Sequence, residues 1–332
     1  MNIVMTGGNG FIGRRLARRL LERGYVVTAD GTRQQLDKLV LFDIARLDDE
    51  FARDARIKQV VGDIADAPTL TTVIDVRTAA VFHFGAIVSA GAEADFDLGM
   101  RVNLDGTRNV LEACRRLPAA VRVVFASSLA VYGGNLPQVI DDATPLYPQT
   151  SYGMHKACGE LLVSDYSRKG YLDGRALRFP TILVRPEPNL AASTFASTII
   201  REPLLGRDTS CPVSPTSVMA VMSVARLIDC IERAYDLPAE AFGAQRALLL
   251  PAISASVDAM IAAVRRVGGD AAANRIALRP DPKTQHIVDG WPGGVKADRA
   301  QQLGLQADAT VDEIVDTFVA DDLPAMREFA AR

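Results

Sequence analysis

The chain has 332 residues, a formal net charge of -3 at pH 7, and 48% hydrophobic against 23% charged residues. That length holds one large domain, or a large domain with a smaller one attached, and the composition is that of a soluble globular protein with a full core. The acidic balance argues against a protein that grips nucleic acid by charge, and no apolar run approaches the roughly 20 residues of a bilayer span.

Residues 3–5 form a short apolar run, followed by TGGNGFIG at 6–13 and a helical leucine pattern over 11–23. Strand, glycine turn and helix in that order give the glycines meaning. Gly7 permits a tight turn, Gly10 lets a pyrophosphate approach the backbone, and Gly13 lets the helix pack close to the strand. Phe11 and Ile12 then open a helix whose first N–H groups face phosphate. A second strand is expected over 25–29, closed by Asp30. A carboxylate there accepts from both adenine-ribose hydroxyls and repels a 2′-phosphate, which favours NAD over NADP even with Arg33 nearby. The plainer reading of Asp30 is a turn residue before Gly31. Asp63, followed by Ile64, ends a third strand over 59–61 and either meets the adenine amino group or caps the next helix.

Strands are expected at 80–84, 122–126 and 175–179, with helices over 104–117 and 151–169. Strands alternating with helices imply parallel pairing with helices on both faces. The fold class is therefore α/β, a Rossmann-type doubly wound parallel sheet. FASSLAVYG at 125–133 brings Ser127 and Ser128 to the carboxyl edge, where such sheets bind ligands; taken alone, two serines after a strand mark a turn. Tyr152 and Lys156 are four apart and share a helix face. A phenol near pKa 10 is a poor base at neutral pH, but a neighbouring ammonium stabilises the phenolate, which then takes a hydroxyl proton. The plainer reading is a snorkelling lysine on an amphipathic helix.

After Pro180 prolines come thickly, at Pro186, Pro188, Pro203, Pro212 and Pro215. Helices are expected near 193–201, 223–235, 256–267 and 310–320, with a strand at 247–250. This places a cofactor-binding and catalytic domain at 1–180 and a smaller, mixed substrate-binding lobe at 181–332, with interleaving of the two left open. Cys114, Cys158, Cys211 and Cys230 are widely spaced and read as thiols in a reducing compartment. His83, His155 and His286 are not at ligand spacing, so no metal is expected. The N-terminus enters a strand at once, without signal-peptide zones, which makes the cytoplasm the expected address.

The glycine triad, Gly62-Asp63, the His83 segment, NLDGT at 103–107, SSLAVYG and the Tyr-Lys pair occur together and in order. In this the chain resembles, essentially end to end, an extended short-chain dehydrogenase/reductase of the NAD-dependent epimerase/dehydratase family. The resemblance implies Ser128, Tyr152 and Lys156 as the catalytic set, with Lys156 also holding the nicotinamide ribose. It implies a cofactor groove lined by Gly85, Ala86, Asn103, Pro180 and Thr181, and a homodimer built on the helices at 104–117 and 151–169.

Departures from the family pattern narrow the activity. Dehydratases of this group carry an Asp-Glu pair directly after the catalytic Ser or Thr; here Leu129 and Ala130 transfer no proton. Where sugar-nucleotide enzymes read L-R-x-x-N-x-Y-G-P, this chain reads LRFPTILVRP, with Thr181 for the amide and Arg185 for the glycine. An arginine there either holds a carboxylate through two parallel hydrogen bonds or stands at the surface before Pro186. GAEADFDLGMRVNLDGT, TSYGMHKACGELLVSDYSRKGYLDGRALRFPTI and TIIREPLLGRDTSCPVSP are similar to the D-erythronate dehydrogenase group, which oxidises the C2 hydroxyl of a four-carbon sugar acid with NAD. Met219 and Met222-Ser223 stand where that group has an aromatic and Ser-Pro, in a segment expected to shape the substrate pocket.

The expectation is oxidation of the C2 hydroxyl of a small sugar acid. Ser89, Thr181, Arg185 and Asn189 hold the substrate, Ser128 steadies the carbonyl, and Tyr152 takes the proton; Arg201 is a second candidate for the carboxylate. A nucleotide-sugar 4-epimerase is the rival, since it needs only Tyr, Ser and a tightly held NAD. A non-catalytic cofactor-sensing protein is the third reading, against which the intact Tyr-Lys-Ser set argues.

Overall fold

The computed structural model describes residues 1–46, 51–187 and 191–330. Asn189 lies outside the described residues. The chain divides into two interleaved compact units: Met1–Val131, Thr150–Arg178 and Cys230–Leu248 form the first, and Tyr132–Gln149, Phe179–Asp229 and residues from 249 onward the second. The expected boundary at 180 falls two residues from one crossing point, between 178 and 179; the chain also crosses at 131, 149, 229 and 248.

The first unit is built on a seven-stranded sheet. Its strands in chain order are β1 (Asn2–Thr6), β2 (Lys38–Asp43), β3 (Ile57–Val61), β4 (Thr78–His83), β5 (Arg122–Ser128), β6 (Asp173–Phe179) and β7 (Ala247–Leu249). They lie in the order β7-β6-β5-β4-β1-β2-β3. β1 pairs in parallel with both β2 and β4, so that Met5 stands between Leu41 and Phe82. Strand order reverses across β1, which makes the carboxyl ends of β1 and β4 the crevice where a doubly wound sheet binds its ligand.

The second sheet strand is not the one expected. Residues 25–29 supply only Tyr25–Val27, which pairs antiparallel with Arg33–Gln35 in a two-stranded hairpin off the main sheet. The place beside β1 goes to Lys38–Asp43, whose Leu39, Val40, Leu41 and Phe42 are all at most 4% exposed. A continuous apolar run suits a parallel strand covered on both faces, whereas a three-residue run with polar neighbours does not. Asp30 accordingly lies in the hairpin turn and not at a strand end. The strand expected at 247–250 becomes the edge strand of this main sheet.

The helix Phe11–Arg23 follows the sequence pattern to both ends. Gly13, Leu16, Ala17, Leu20 and Leu21 are its buried face, and each buried leucine contributes about 1.5–3 kcal/mol. It stops at Gly24, whose φ of 72° lets its N–H return to the Leu20 carbonyl. Helices Gly106–Arg115 and Ser151–Arg168 pack against each other, and the second also covers β5. The second unit has a three-stranded sheet, Thr181–Leu183, Val218–Ser223 and Ile253–Ser256. Helices Thr194–Leu204, Val257–Ala273 and Val311–Asp321 close its core through Phe195, Ile199, Met260, Val264 and Phe318.

If Lys38–Asp43 is the central strand, Phe42→Ala should remove about 3–5 kcal/mol of unfolding free energy, read from urea titration. A loss below about 1 kcal/mol would mean that this strand does not carry the core.

Candidate active site

The site grows from the carboxyl end of β1. Gly7 turns with a φ of +66°, and a Cβ there would stand 2.7 Å from the Gly85 nitrogen. A Cβ on Gly13 would stand 2.6 Å from the Gly7 carbonyl oxygen, and one on Gly8 2.9 Å from Leu41 Cα. The loop is therefore pressed between β2, the segment after β4 and the helix start, with no room for a side chain at these positions. The helix Phe11–Arg23 has no side chain capping its N-terminus at Gly10 and no acid in its first turn. An N-terminus so arranged suits an anion.

The carboxylate beside this loop is Asp43, at the end of β2. It accepts from the N–H of Asn9 at 3.0 Å and of Ile44 at 2.8 Å. Sequence reasoning missed it because it misassigned the strand. Asp30 is exposed and its carboxylate serves its own turn, accepting from the Thr28 hydroxyl and the Thr32 N–H, which hold it below the usual aspartate range. Asp63 ends β3's loop and pairs with Arg101 at 2.6 Å. Burial opposes its charge, but the Ala65 N–H and Arg101 together hold its carboxyl below the usual value. The residue before the next helix, Ala67–Val73, is Asp66. Ile64 is buried, 2.7 Å from where a Cβ on Gly106 would be.

A buried hydrogen-bond chain ties the ends of β1 and β4 to the helical stretch after them. The Gly85 N–H donates to Thr6 Oγ1 at 3.2 Å, and Thr6 Oγ1 meets His83 Nδ1 at 2.6 Å. His83 Nε2 meets Thr107 Oγ1 at 2.9 Å, and that hydroxyl donates to the Asn103 carbonyl at 2.6 Å. Since the Thr107 proton is committed to Asn103, Nε2 donates, and Nδ1 accepts from Thr6. His83 is thus neutral; burial, with the nearby Lys156, pushes its pKa down to about 3. Asn103 sits in a π-helical stretch, Met100–Asp105, a form often found at functional sites. Its side chain accepts from the Ile87 N–H and donates to the Ile87 carbonyl, fixing the segment that carries Gly85 and Ala86.

The two serines at the end of β5 part ways. Ser127 is 2% exposed and donates to Glu160 at 2.5 Å, whereas Ser128 is half-buried and accepts from the Ala130 N–H. Ser128 is the one left at the edge. On the helix Ser151–Arg168, started by a Thr150 cap on the Gly153 N–H, Lys156 Nζ lies 5.5 Å from the centre of the Tyr152 ring and 4.8 Å from that of Phe125. Lys156 is 3% exposed, and among the described residues nothing hydrogen-bonds its ammonium. Burial pushes its pKa down from 10.5 to about 7. A phenol and a buried ammonium so paired favour the phenolate, a proton acceptor.

The remaining expected residues occupy varied surroundings. Ser89 is half-buried at the start of the helix Ser89–Ala94. In the second unit Pro180 is buried, and Thr181 is half-buried at a strand start. Arg185 donates from its backbone to Ser197 Oγ and from Nη2 to Ser193 Oγ at 3.2 Å. Arg201 is buried, donating from Nη1 to the Arg185 carbonyl and from Nε to Glu202, so it supports Arg185. Met219 and Met222 are both buried, at 1% and 0% exposure, and Met219 belongs to the unit's apolar core.

Comparison with known proteins gives the family. The model of the NAD dependent epimerase/dehydratase family matches residues 3–238. A D-erythronate dehydrogenase from Cupriavidus necator is 48% identical over 322 residues, covering 97% of this chain and 98% of its own length. Another from Haemophilus influenzae is 38% identical, covering 97% and 100%. The crystal structure of the nucleoside-diphosphate-sugar epimerase from Agrobacterium tumefaciens superposes with a TM-score of 0.90 at 36% identity, covering 98% of this chain and 95% of that one.

The buried ammonium has a measurable signature. Between pH 7 and 10.5 the unfolded lysine holds a proton that the folded one releases, so stability rises with pH across that window. The full cost of burying the charge is felt below it. Lys156→Met should raise the unfolding free energy of the ligand-free protein at pH 6 by on the order of 2–4 kcal/mol, with the difference closing toward pH 10.5. Denaturant titrations across the range test this; equal stabilities at pH 6 would refute it.

Proposed function

Because the chain belongs to the NAD-dependent epimerase/dehydratase family, we propose that it oxidises the C2 hydroxyl of a small sugar acid, D-erythronate first among them, with NAD. The observation that carries the chemistry is the unshared, buried ammonium of Lys156 beside Tyr152; the substrate is taken from the two relatives named for it. The residues fit a nicotinamide dinucleotide. Glycine positions that exclude a Cβ, an uncapped helix start and an ammonium in want of acceptors match a pyrophosphate and a ribose. Phe11, Ile12, Asp63, Ile64, Gly85, Ala86, Asn103 and Pro180 complete that groove in this reading. When bound, the cofactor supplies the hydride acceptor.

Tyr152 takes the C2 hydroxyl proton, Lys156 keeps the phenolate available and holds ribose hydroxyls, and Ser128 donates to the oxygen that becomes the carbonyl. The substrate carboxylate goes to Arg185, whose planar donor fork suits it, with Ser89, Thr181 and Asn189 for the hydroxyls. For the adenine ribose we put Asp43 in place of Asp30: it closes the strand beside the glycine loop, where a carboxylate accepts both hydroxyls and repels a 2′-phosphate. That is the basis for NAD over NADP. We read the enzyme as a homodimer joined along helices Gly106–Arg115 and Ser151–Arg168, the latter bearing Leu161 at 69% exposure, and as cytoplasmic, in keeping with four cysteines that form no disulfide. Among the described residues no helix is long and apolar enough to cross a membrane.

A second reading, nucleotide-sugar epimerisation, is favoured by the 36% identical structure named for that reaction. Purified protein should form NADH from D-erythronate and NAD and leave UDP-sugars unchanged; the reverse pattern would move it to the epimerases. Tyr152→Phe should lower kcat by about 10²–10⁴-fold while NAD binding, read by fluorescence titration, stays within a few-fold. Asp43→Ala should weaken NAD binding by about tenfold or more, and Asp30→Ala should leave it unchanged. Weakening by Asp30→Ala alone would restore the hairpin carboxylate as the ribose ligand.

A further inference from the structure

Lys156 and Glu160 are four apart on one helix, so their side chains share a face at neighbouring distance, and both are buried, at 3% and 2% exposure. An ammonium and a carboxylate so placed would normally pair. Here they do not. Glu160 is gripped from the other side by Arg178 of β6, 5% exposed, with Nε 2.9 Å from Oε1 and Nη2 2.7 Å from Oε2. Ser127 adds a third donor, to Oε1. Both oxygens are therefore engaged by a planar fork that matches them, a geometry that a buried carboxylate leaves only at high cost.

Among the described residues none of the other groups facing Lys156 forms an ion pair with it. From its own helix come Tyr152 and the adjoining His155, whose pKa is lowered by burial and by Lys156 itself. From β5 comes the Phe125 ring, and from β4 the neutral His83. Glu93, on the helix Ser89–Ala94, accepts the Ser151 N–H at 3.0 Å and acts on His155.

We propose that Arg178 is a positioning residue that withholds the Glu160 carboxylate from Lys156, so that the ammonium beside Tyr152 keeps no protein counter-ion. The inference rests on Tyr152 being the proton acceptor. With Glu160 released, Lys156 would be neutralised by it and the phenolate would lose its support. Ser127 gives the pair a second use: by holding Glu160 it fixes the end of β5, where Ser128 stands.

The test is the pH profile of kcat for the oxidation, in the full-length protein. Arg178→Met should move the acid limb toward alkaline pH by at least one unit, with activity lost at pH 7 and largely regained at high pH. Arg178→Lys, which keeps a charge in the core but cannot occupy both oxygens, should move it the same way by less, and serves if the methionine variant does not fold. The double variant Glu160→Gln/Arg178→Met removes the carboxylate with its guard and should bring the limb back to the wild-type position. A purely structural pair would lower kcat without moving the limb. An unmoved limb in both Arg178 variants, or a double variant displaced as far as Arg178→Met, would overturn the inference. Tyr152→Phe is assayed alongside: if it retained most of its turnover, the assignment of the base would fall, whereas an inactive Tyr152→Phe with unmoved Arg178 profiles rejects the inference alone.

Discussion

Three backbones meet closer than a single methyl group permits. The end of β1, the segment after β4 and the first turn of the helix Phe11–Arg23 converge at Gly7 and Gly13, where an added Cβ would stand 2.6–2.7 Å from main-chain atoms. Much of the first unit follows from that approach. It draws the carboxyl ends of β1 and β4 together at the switch in strand order, leaves the helix start uncapped, and sets Asp43 beside the turn. The Thr6–His83–Thr107–Asn103 chain then locks the arrangement with neutral groups only, so it adds no charge to the site.

Charge at the site is managed by burial and by partner choice. The histidines around Lys156 are held toward their neutral forms, the one carboxylate on its own helix face is bound elsewhere, and the cation rests against aromatic rings. A buried ion normally requires such a partner. Leaving it without one destabilises the ligand-free fold, and function at a site often carries a cost of this kind.

Much of this was legible in the sequence, for local reasons. Helix Phe11–Arg23 is bounded by Gly10 and Gly24, and its leucines alternate at helical spacing, so pattern and punctuation agree. The Tyr152–Lys156 pair needs only the helix period. The misplacement of the second strand has an equally local cause. YVV and LVLF are both short apolar runs, and neither carries its own address; the pairing with β1 and the crowding of Gly8 against Leu41 show which lies beside it. The error carried Asp30 with it. Glu160 and Arg178 stand 18 positions apart on different elements, and no spacing rule links a helix residue to a strand residue. Whether Ser127 or Ser128 faces inward depends on strand parity, which two adjacent serines leave undetermined. Strand Ala247–Leu249 looked like part of the lobe because it follows the proline-rich region, yet it completes the main sheet.

The repeated crossing of the chain between its two units bears on how such an enzyme can change its substrate. The second unit is drawn from three separate lengths of sequence, and the first takes back residues Cys230–Leu248 in their midst. No single cut releases either unit, so recombination cannot exchange either one as a cassette. New substrates have to be reached by point changes and loop insertions within each length, under the stability demands of a core shared by the lengths on either side of Cys230–Leu248. Divergence by small steps on an unbroken scaffold is then the accessible route.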